Sequence, residues 1–177
     1  MSRIRPWIDQ YDPGVPSSLD YPKICVHDYL KIQKEQNPVK AAVIYGTEVT
    51  SYKALSNMVT NLAFDLIQFG IKPEERVGIC LPNSLEFVVA FFAVLQAGGV
   101  VAAMNPQFPA RELEFQVETA KVKLVITNVA KKNDFASMGT ELKPDIFLVT
   151  RQGDSHDVSV TCVTRQQYVS GSEEAEK

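Results

Sequence analysis

The sequence has few cysteines, no excess of positive charge and no apolar segment at its start, and each absence excludes a class of protein. Its three cysteines among 177 residues, Cys25, Cys80 and Cys162, are widely spaced and form no CxxC pair, which is typical of reduced thiols in a cytosolic protein. The net charge of −3 argues against a nucleic-acid-binding surface, which needs a basic face. The opening residues MSRIRPWIDQYDPG lack the apolar core of a secretory signal.

One long apolar run stands out, at 87–104 within SLEFVVAFFAVLQAGGVVAAMNPQFPARELEFQ. A membrane-spanning helix needs about 20 apolar residues, and this run is shorter and is interrupted by Gln96 and by Gly98-Gly99. Glycine after a helix is typical of a carboxyl-terminal cap, because glycine adopts the left-handed conformation at little cost. We therefore predict a buried helix at 84–97, apolar all round because it is covered on nearly all sides, followed by a buried strand.

Apolar, β-branched runs recur at regular intervals along the chain, and segments with helical patterns separate them. Continuous runs of this kind are typical of strands that are buried on both faces of a parallel sheet. Crossovers of this length are right-handed and place helices against the sheet. The sequence therefore predicts an α/β fold with a parallel sheet flanked by helices. The predicted strands lie at 76–82, 99–104, 123–128 and 145–150, with helices at 84–97 and from Pro109, and a less regular connection at 129–143.

Shorter elements are expected before this unit. The segment AAVIYGTEVTSY at 41–52 predicts a short β-hairpin, and a helix at 52–69 follows with Ser51 as its N-cap. An earlier helix is expected at about 27–36. The first 22 residues combine prolines with aromatic residues, so we expect an extended arm that is pinned by its aromatic rings.

The predicted organisation has three parts. The extended amino-terminal arm occupies 1–22, and the α/β subdomain occupies 23–165, including a further candidate strand, VSVTCVT, at 158–164. The polar and acidic end of the chain, at 166–177, has the composition of a solvated linker.

Common catalytic motifs are missing from the sequence. No GxGxxG follows a predicted strand, and there is no Walker loop, HExxH or GxSxG, each of which has a defined catalytic or phosphate-binding role. His27 and His156 have no metal-ligand neighbours in a recognised spacing. We therefore predict no catalytic residue and no metal site within this chain.

The carboxyl ends of the predicted strands remain, and open α/β sheets bind ligands at that edge. Asn83 follows the first strand, Asn105-Pro106 the second and Asn128 the third. Two interpretations are open. These residues only turn the chain, as asparagine and proline commonly do, or their loops form the walls of a ligand cleft. The second interpretation requires Asn83, Asn105 and Asn128 to share one edge of the sheet.

The ordered set of segments resembles the amino-terminal part of the adenylate-forming acyl-CoA synthetase superfamily. LPNSLEFVVAFFAVLQAGGVVAAMNPQFPARELEFQ carries much of this resemblance, and WIDQYDPGVPSSLDYP resembles the arm before the first helix of fatty acyl-CoA ligases. VTSYKALSNMVTNLAFDLIQFGIKPEERVGICLPN resembles the family's Thr-Tyr-x-Glu-Leu helix and first core strand, although Ser51 separates Thr50 from Tyr52 and Ala54 replaces the usual Glu. The similarity covers about residues 5–150 and is greatest to long- and medium-chain fatty acid:CoA ligases.

The resemblance implies that this chain is the first part of a longer ligase, called the parent protein below. It implies an activity for the parent protein and an incomplete site in this chain. Such ligases use ATP to convert a fatty acid to an acyl-adenylate and then to an acyl-CoA thioester, with Mg²⁺ offsetting the charge of the phosphates. Their phosphate loop ending in Pro-Lys-Gly, their Thr-Glu pair, their ribose-binding Asp and their carboxyl-terminal Lys do not occur in 1–177. The chain is therefore expected to be a fragment that is inactive alone, binds no cofactor, self-associates through a face left uncovered, and is cytoplasmic, with peripheral membrane association left open.

The same resemblance suggests site residues. Asn105 and Pro106 match a segment near the CoA entrance, and Lys131 and Lys132 lie where a basic residue can meet a CoA phosphate. A solvated pair of lysines is the simpler interpretation of Lys131 and Lys132, because exposed lysines are common. Asn83 and Asn128 would complete the edge of the cleft.

Two alternatives to a fatty acid:CoA ligase remain open. The parent could activate an aryl acid or an amino acid, or the chain could be a stand-alone α/β binding module. The reading frame downstream of Lys177 distinguishes a ligase from a module, because a ligase requires a Thr-, Ser- and Gly-rich loop with Pro-Lys-Gly.

Overall fold

The protein forms a five-stranded sheet with helices on both faces, together with a separate two-stranded hairpin. The structure is a computed structural model that describes residues 5–139, 144–151 and 158–163, so the predicted linker at 166–177 lies outside the described residues. The strand order is β4-β3-β5-β6-β7. The large sheet contains β3 (Arg76–Cys80), β4 (Val100–Ala103), β5 (Leu124–Thr127), β6 (Asp145–Arg151) and β7 (Val158–Val163).

The predicted parallel α/β architecture is confirmed. β3 pairs in parallel with β4 and β5, and β5 pairs in parallel with β6, whereas β7 runs antiparallel to β6. In this order the connection after β3 leads to β4 on one side and the connection after β5 leads to β6 on the other, so the connections reverse direction between β3 and β5. Ligand crevices of open α/β sheets form at such a reversal, outside the carboxyl ends of the strands.

The helices and the hairpin also lie near their predicted positions. Ser51 caps the second helix as expected, because its Oγ accepts the backbone N–H of Ala54 at 3.2 Å. The connection predicted to be irregular contains a 3₁₀ turn and one short helix. The remaining elements are α1 (Val26–Gln36), β1 (Ala41–Tyr45), β2 (Glu48–Ser51), α2 (Tyr52–Gln68), α3 (Leu85–Gln96), α4 (Ala110–Ala120) and α5 (Lys132–Ala136).

Two apolar clusters cover the two faces of the sheet. On one face, Val77 and Ile79 of β3 pack with residues of α2 and α3, including Leu62 and Val89. On the other face, Cys80 packs with residues of α4 and α5. Alternate residues of one strand therefore enter different cores, and both need apolar side chains. This explains why the predicted strands are continuous apolar runs.

The break in the long apolar run depends on Gly98 and Gly99. Gly98 has a φ of +82°, a left-handed conformation that glycine adopts without steric cost at the end of a helix. A Cβ on Gly99 would lie 3.1 Å from a methyl group of Val94 and 3.3 Å from the carbonyl oxygen of Glu75. The pair is thus structural, and no helix among the described residues is long and apolar enough to cross a membrane.

Of two expectations about burial, one is wrong. The aromatic rings of the arm do not pin it, since Trp7 is 56% exposed and Tyr21 is 78% exposed. Helix α3 is covered on nearly all sides, as expected, since none of its residues is exposed, although Phe91 and Phe92 are only half-buried. Apolar composition identified α3 as a core helix, but it could not show which of its residues are only half-buried.

Candidate functional site

The three asparagines that follow predicted strands lie at one edge of the sheet. Ile79 is in register with Ala103, and Cys80 is in register with Thr127, so β3, β4 and β5 end at the same edge. Asn83, Asn105 and Asn128 follow these strand ends, as the cleft interpretation requires. We call this the carboxyl edge of the sheet. Gly98, Gly99 and Lys121 precede the strands and lie at the opposite edge.

A cleft of about 480 Å³ opens between the ends of β3 and β4. Its size falls within the range of small-molecule sites. Three of the predicted site residues, Asn83, Asn105 and Pro106, line it together, whereas Asn128, Lys131 and Lys132 do not. We call it the edge cleft. It is lined by Leu81, Pro82, Asn83, Phe87, Ala103, Met104, Asn105, Pro106 and Gln107.

Two of the three asparagines hold their own loops in shape. The Oδ1 atom of Asn105 accepts the backbone N–H of Gln107 at 2.9 Å, which is an Asx turn. The Oδ1 atom of Asn128 accepts the backbone N–H of Lys131 at 3.2 Å and caps the 3₁₀ turn Val129–Lys131. Both contacts are the local turn-forming role of asparagine. Asn83 is exposed and lines the cleft. Among the described residues, no recorded hydrogen bond fixes the orientation of its side-chain amide.

Lys131 connects two loops of the carboxyl edge. Its ammonium group donates to the carbonyl oxygen of Phe108 at 3.1 Å and to Oδ2 of Asp134 at 2.7 Å. The side chain is 25% exposed, so this is a partly buried, charge-assisted contact. Lys131 thus ties the loop after β5 to the loop after β4. To reach a CoA phosphate, it would have to exchange these partners.

The chemistry of the edge cleft favours an uncharged ligand. Its lining residues are apolar except for the carboxamides of Asn83, Asn105 and Gln107, and none of them carries a charge. A triphosphate needs cationic side chains or a series of backbone N–H groups, and Mg²⁺ is usually held by carboxylates. The edge cleft therefore fits neither group, whereas it can accept an apolar chain that contains amide groups.

The threonine and cysteine beneath the cleft are structural. Thr127 is fully buried, and its hydroxyl donates to the carbonyl oxygen of Cys80 at 3.0 Å, which joins the ends of β3 and β5. Burial raises the pKa of the Cys80 thiol to about 11. A thiol with such a pKa is protonated at neutral pH and is a poor nucleophile.

His27 does have possible metal-ligating neighbours, contrary to the prediction from spacing. The ligand atoms of Cys25, His27 and Asp28 all lie within 4.8 Å of one another. Helix capping explains this arrangement, because Oδ2 of Asp28 accepts the backbone N–H of Cys25 at 3.0 Å and its Oδ1 contacts Lys31. Asp28, three residues after the N-cap Cys25, is the sequence signal that predicts such a capping box.

Among the lining residues that sequence reasoning missed are Phe87, Met104 and Gln107. Phe87 lies in the first turn of α3, so its ring faces the strand ends, while Met104 directly follows β4. Gln107 lies two residues beyond Asn105 in the Asx turn. The position of each next to a predicted strand end was the available signal.

A family model for AMP-binding enzymes matches residues 30–175 of the chain. The chain belongs to this family. The match spans the whole described sheet and includes the edge cleft. An AMP-binding enzyme of this kind is adenylate-forming, in agreement with the superfamily that the sequence resembles.

Curated relatives of this chain include more than one kind of protein. A long-chain-fatty-acid–CoA ligase of Bacillus subtilis is 32% identical over 128 residues, which is 72% of this chain and 23% of that protein. A dimodular nonribosomal peptide synthase of the same organism is 32% identical over 112 residues, which is 63% of this chain and 5% of that protein. The chain thus spans a quarter or less of the length of these relatives.

Solved structures share the fold. An anthranilate CoA ligase in complex with anthranoyl-AMP matches with a TM-score of 0.64 and 19% identity, covering 68% of this chain and 24% of that one. ATP-bound MatB from Rhodopseudomonas palustris matches with a TM-score of 0.63 and 24% identity, covering 69% and 24%. The α/β sheet of this chain therefore has the fold of the corresponding part of those enzymes.

Proposed function

We propose that the chain is the amino-terminal α/β part of a ligase that activates a carboxylic acid with ATP. The acid attacks the α-phosphate of ATP, pyrophosphate leaves, and the acyl-adenylate then reacts with the thiol of CoA to give a thioester and AMP. The observation that carries this proposal is the family match across residues 30–175. The edge cleft, outside the carboxyl ends of β3 and β4, is consistent with it.

The substrate class that we propose is a fatty acid. The supporting observation is the likeness to a long-chain-fatty-acid–CoA ligase, which aligns over 128 residues of this chain. Aryl-acid or amino-acid activation is the second candidate. It is supported by the nonribosomal peptide synthase, whose 32% sequence identity to this chain equals that of the fatty-acid ligase, and by the likeness to an anthranilate CoA ligase.

We assign the edge cleft to an uncharged part of the ligand set. Its three carboxamides and its apolar walls suit the amide-containing arm of CoA, near the entrance that the resemblance assigns to Asn105 and Pro106. Asn83 and Asn128 would border that entrance. Lys131 and Lys132 stay candidates for a CoA phosphate, with Lys131 required to leave Asp134 first.

The triphosphate and Mg²⁺ are proposed to bind outside this cleft, because no charged residue lines it. Magnesium would offset the charge of the phosphates when ATP is bound. The parent protein is proposed to act on a fatty acid, ATP and CoA in the cytoplasm. A stand-alone binding module, which would need none of these partners, is the alternative that the test below would reveal.

The decisive test of this function is acid-dependent exchange of labelled pyrophosphate into ATP. The polypeptide translated from the complete reading frame is offered a fatty acid, an aryl acid and an amino-acid mixture in separate assays that contain Mg²⁺. It should catalyse exchange with one of these three classes of acid. Residues 1–177 alone should give no exchange above a protein-free control, because they lack the groups that stabilise the transferring phosphates. If the complete polypeptide catalyses no exchange with any of the three kinds of acid, the ligase proposal is refuted.

A further inference from the structure

Three different metal-ligating side chains converge at the start of helix α1. Among the residues that the structure describes, Cys25, His27 and Asp28 each offer one ligand atom, and these atoms lie within 4.8 Å of one another. The Nε2 atom of His27 is 3.7 Å from Oδ1 of Asp28. Cys25 is the N-cap of α1, and the other two residues lie in its first turn. The cluster is therefore set by the local backbone and needs no ligand from any other part of the polypeptide.

Helix capping accounts for only part of this cluster. The Oδ2 atom of Asp28 accepts the backbone N–H of Cys25 at 3.0 Å, which fixes the carboxylate beside the N-cap. The Oδ1 atom lies near the His27 ring, and it also accepts the ammonium group of Lys31 at 3.3 Å. The side chain of Lys31 is 53% exposed, and a surface ion pair of this kind contributes little free energy. A cation can therefore replace Lys31 at Oδ1 at little cost.

The donor set selects a class of metal ion. Zn²⁺ binds thiolate, imidazole and carboxylate ligands in proteins, at about 2.0–2.3 Å, whereas Mg²⁺ and Ca²⁺ prefer oxygen ligands alone. Tetrahedral geometry with these bond lengths places ligand atoms about 3.3–3.6 Å apart. The 3.7 Å between His27 and Asp28 is close to this separation. Cys25 is exposed, so rotation of its side chain can bring the thiol to the same distance.

Charge and access also suit a divalent ion. A Cys25 thiolate and the Asp28 carboxylate together carry two negative charges, which balance the charge of Zn²⁺. The side chains of His27 and Asp28 are 18% and 33% exposed, so an ion can enter from solvent. Three protein ligands leave the fourth position to water, and this is a known coordination of zinc.

We propose that Cys25, His27 and Asp28 form a binding site for one Zn²⁺ ion at the start of α1. Cys25 releases its proton to solvent when the ion binds. Oδ1 of Asp28 exchanges Lys31 for the ion, while Oδ2 keeps its bond to the N-cap and orients the carboxylate. The spacing Cys-x-His-Asp matches no recognised motif, which is why the sequence predicted no metal site. None of these residues lines the edge cleft, so the proposal does not rest on the ligase function.

Cobalt binding tests the site by spectroscopy. Co²⁺ accepts the same nitrogen, oxygen and sulfur ligands as Zn²⁺, and a cobalt–thiolate bond absorbs by charge transfer in the near ultraviolet. Titration of the reduced chain with Co²⁺ should produce this absorption and saturate at one ion per chain. Zn²⁺ should remove the absorption, and excess Mg²⁺ should not. C25S should abolish it while preserving the helix, because serine is a favoured N-cap.

Substitution of the other two ligands distinguishes a three-ligand site from a single thiol. H27A and D28N should each weaken Co²⁺ binding at least about tenfold, since even the partners that orient metal ligands contribute that much to affinity. K31M should bind Co²⁺ more tightly, because the ammonium group no longer competes for Oδ1. The double variant H156A/C162S is the matched control. It removes the other histidine and a different cysteine, and it should bind Co²⁺ as the wild type does. Circular dichroism verifies that each variant is folded.

Three results would overturn this proposal. One is that saturating Co²⁺ produces no thiolate absorption in the wild-type chain. Another is that the absorption persists in C25S, which would place the ion on a different cysteine. The third is unchanged affinity in both H27A and D28N, which would reduce the site to one thiol. If C25S fails to fold, alkylation of Cys25 in the C162S chain replaces it. Alkylation should abolish the absorption, and bound Zn²⁺ should slow the alkylation.

Discussion

The ammonium group of Lys131 donates to the carbonyl oxygen of Phe108 at 3.1 Å, which joins the loop after β5 to the loop after β4. The same group contacts Asp134 at 2.7 Å. One side chain thus sets the relative position of two loops at the carboxyl edge. This contact is the structural counterpart of the sequence prediction that Lys131 belongs to that edge.

Replacing Lys131 by methionine should loosen these loops. We expect a loss of about 1 kcal/mol in the free energy of unfolding, because the lost contacts are charge-assisted but partly solvated. Amide hydrogen exchange should accelerate in residues 105–109. D134N should reproduce only part of the effect, because Lys131 keeps its bond to Phe108. If exchange in 105–109 is unchanged in K131M, Lys131 does not hold the loop.

The partial exposure of α3 makes a graded prediction for its phenylalanines. Leu66 is fully buried against α3, and L66A should cost about 2–5 kcal/mol in unfolding free energy. F91A and F92A should each cost about 1–3 kcal/mol, because both side chains are only partly buried against the core and so lose less buried apolar area than Leu66 relative to their size. Urea denaturation measures all three. A cost for F91A above that of L66A would show that the outer flank of α3 is buried in solution.

Gly78 of β3 lies in a tightly packed part of the core beside Met104 and Val125. A Cβ at this position would lie 3.0 Å from the Met104 methyl and 3.1 Å from a methyl of Val125. G78A should therefore destabilise the fold by about 1–3 kcal/mol through overpacking. G139A is the matched control, since the nearest atom to a Cβ there is 4.0 Å away. Equal urea midpoints for G78A and G139A would contradict this packing.

A pH-dependent contact lies at the opposite edge of the sheet. The pKa of Glu75 is lowered by its hydrogen bonds from the Lys123 ammonium at 2.9 Å and the Lys72 N–H at 2.7 Å. Because the folded-state pKa is below the unfolded value, this contact stabilises the fold above the ordinary carboxyl pKa. That stabilisation is lost as pH falls through the lowered value. Wild type should exceed E75Q in stability at neutral pH, and the gap should narrow on acidification. A pH-independent gap would contradict the assignment.

The sheet was predictable because its faces are both apolar. Alternate residues of β3 enter two different cores, so the strand appears in the sequence as an uninterrupted apolar run. The order of strands was not predictable, because nothing in a single strand specifies its neighbours. The position of β4 at the end of the described sheet emerges only from that order.

The site was predictable only in part. The positions of Asn83 and Asn105 at one edge followed from the shared direction of parallel strands. The hydrogen-bond partners of the site residues did not. The sequence could not show that the side chains of Asn105 and Asn128 accept hydrogen bonds within their own loops. It also could not show that Lys131 donates to Phe108. Such contacts depend on loop conformation, which strand periodicity does not encode.

The most direct measurement of the central claim asks whether the edge cleft serves the thioester step. In the complete polypeptide, A103W places a large ring in the cleft, and T119W places the same ring on the surface of α4 as a control. We predict that A103W reduces CoA-dependent thioester formation at least about tenfold through a raised KM for CoA, while acid-dependent pyrophosphate exchange changes less than about threefold. T119W should leave both steps intact. If thioester formation by A103W equals that of T119W, the edge cleft does not contact CoA.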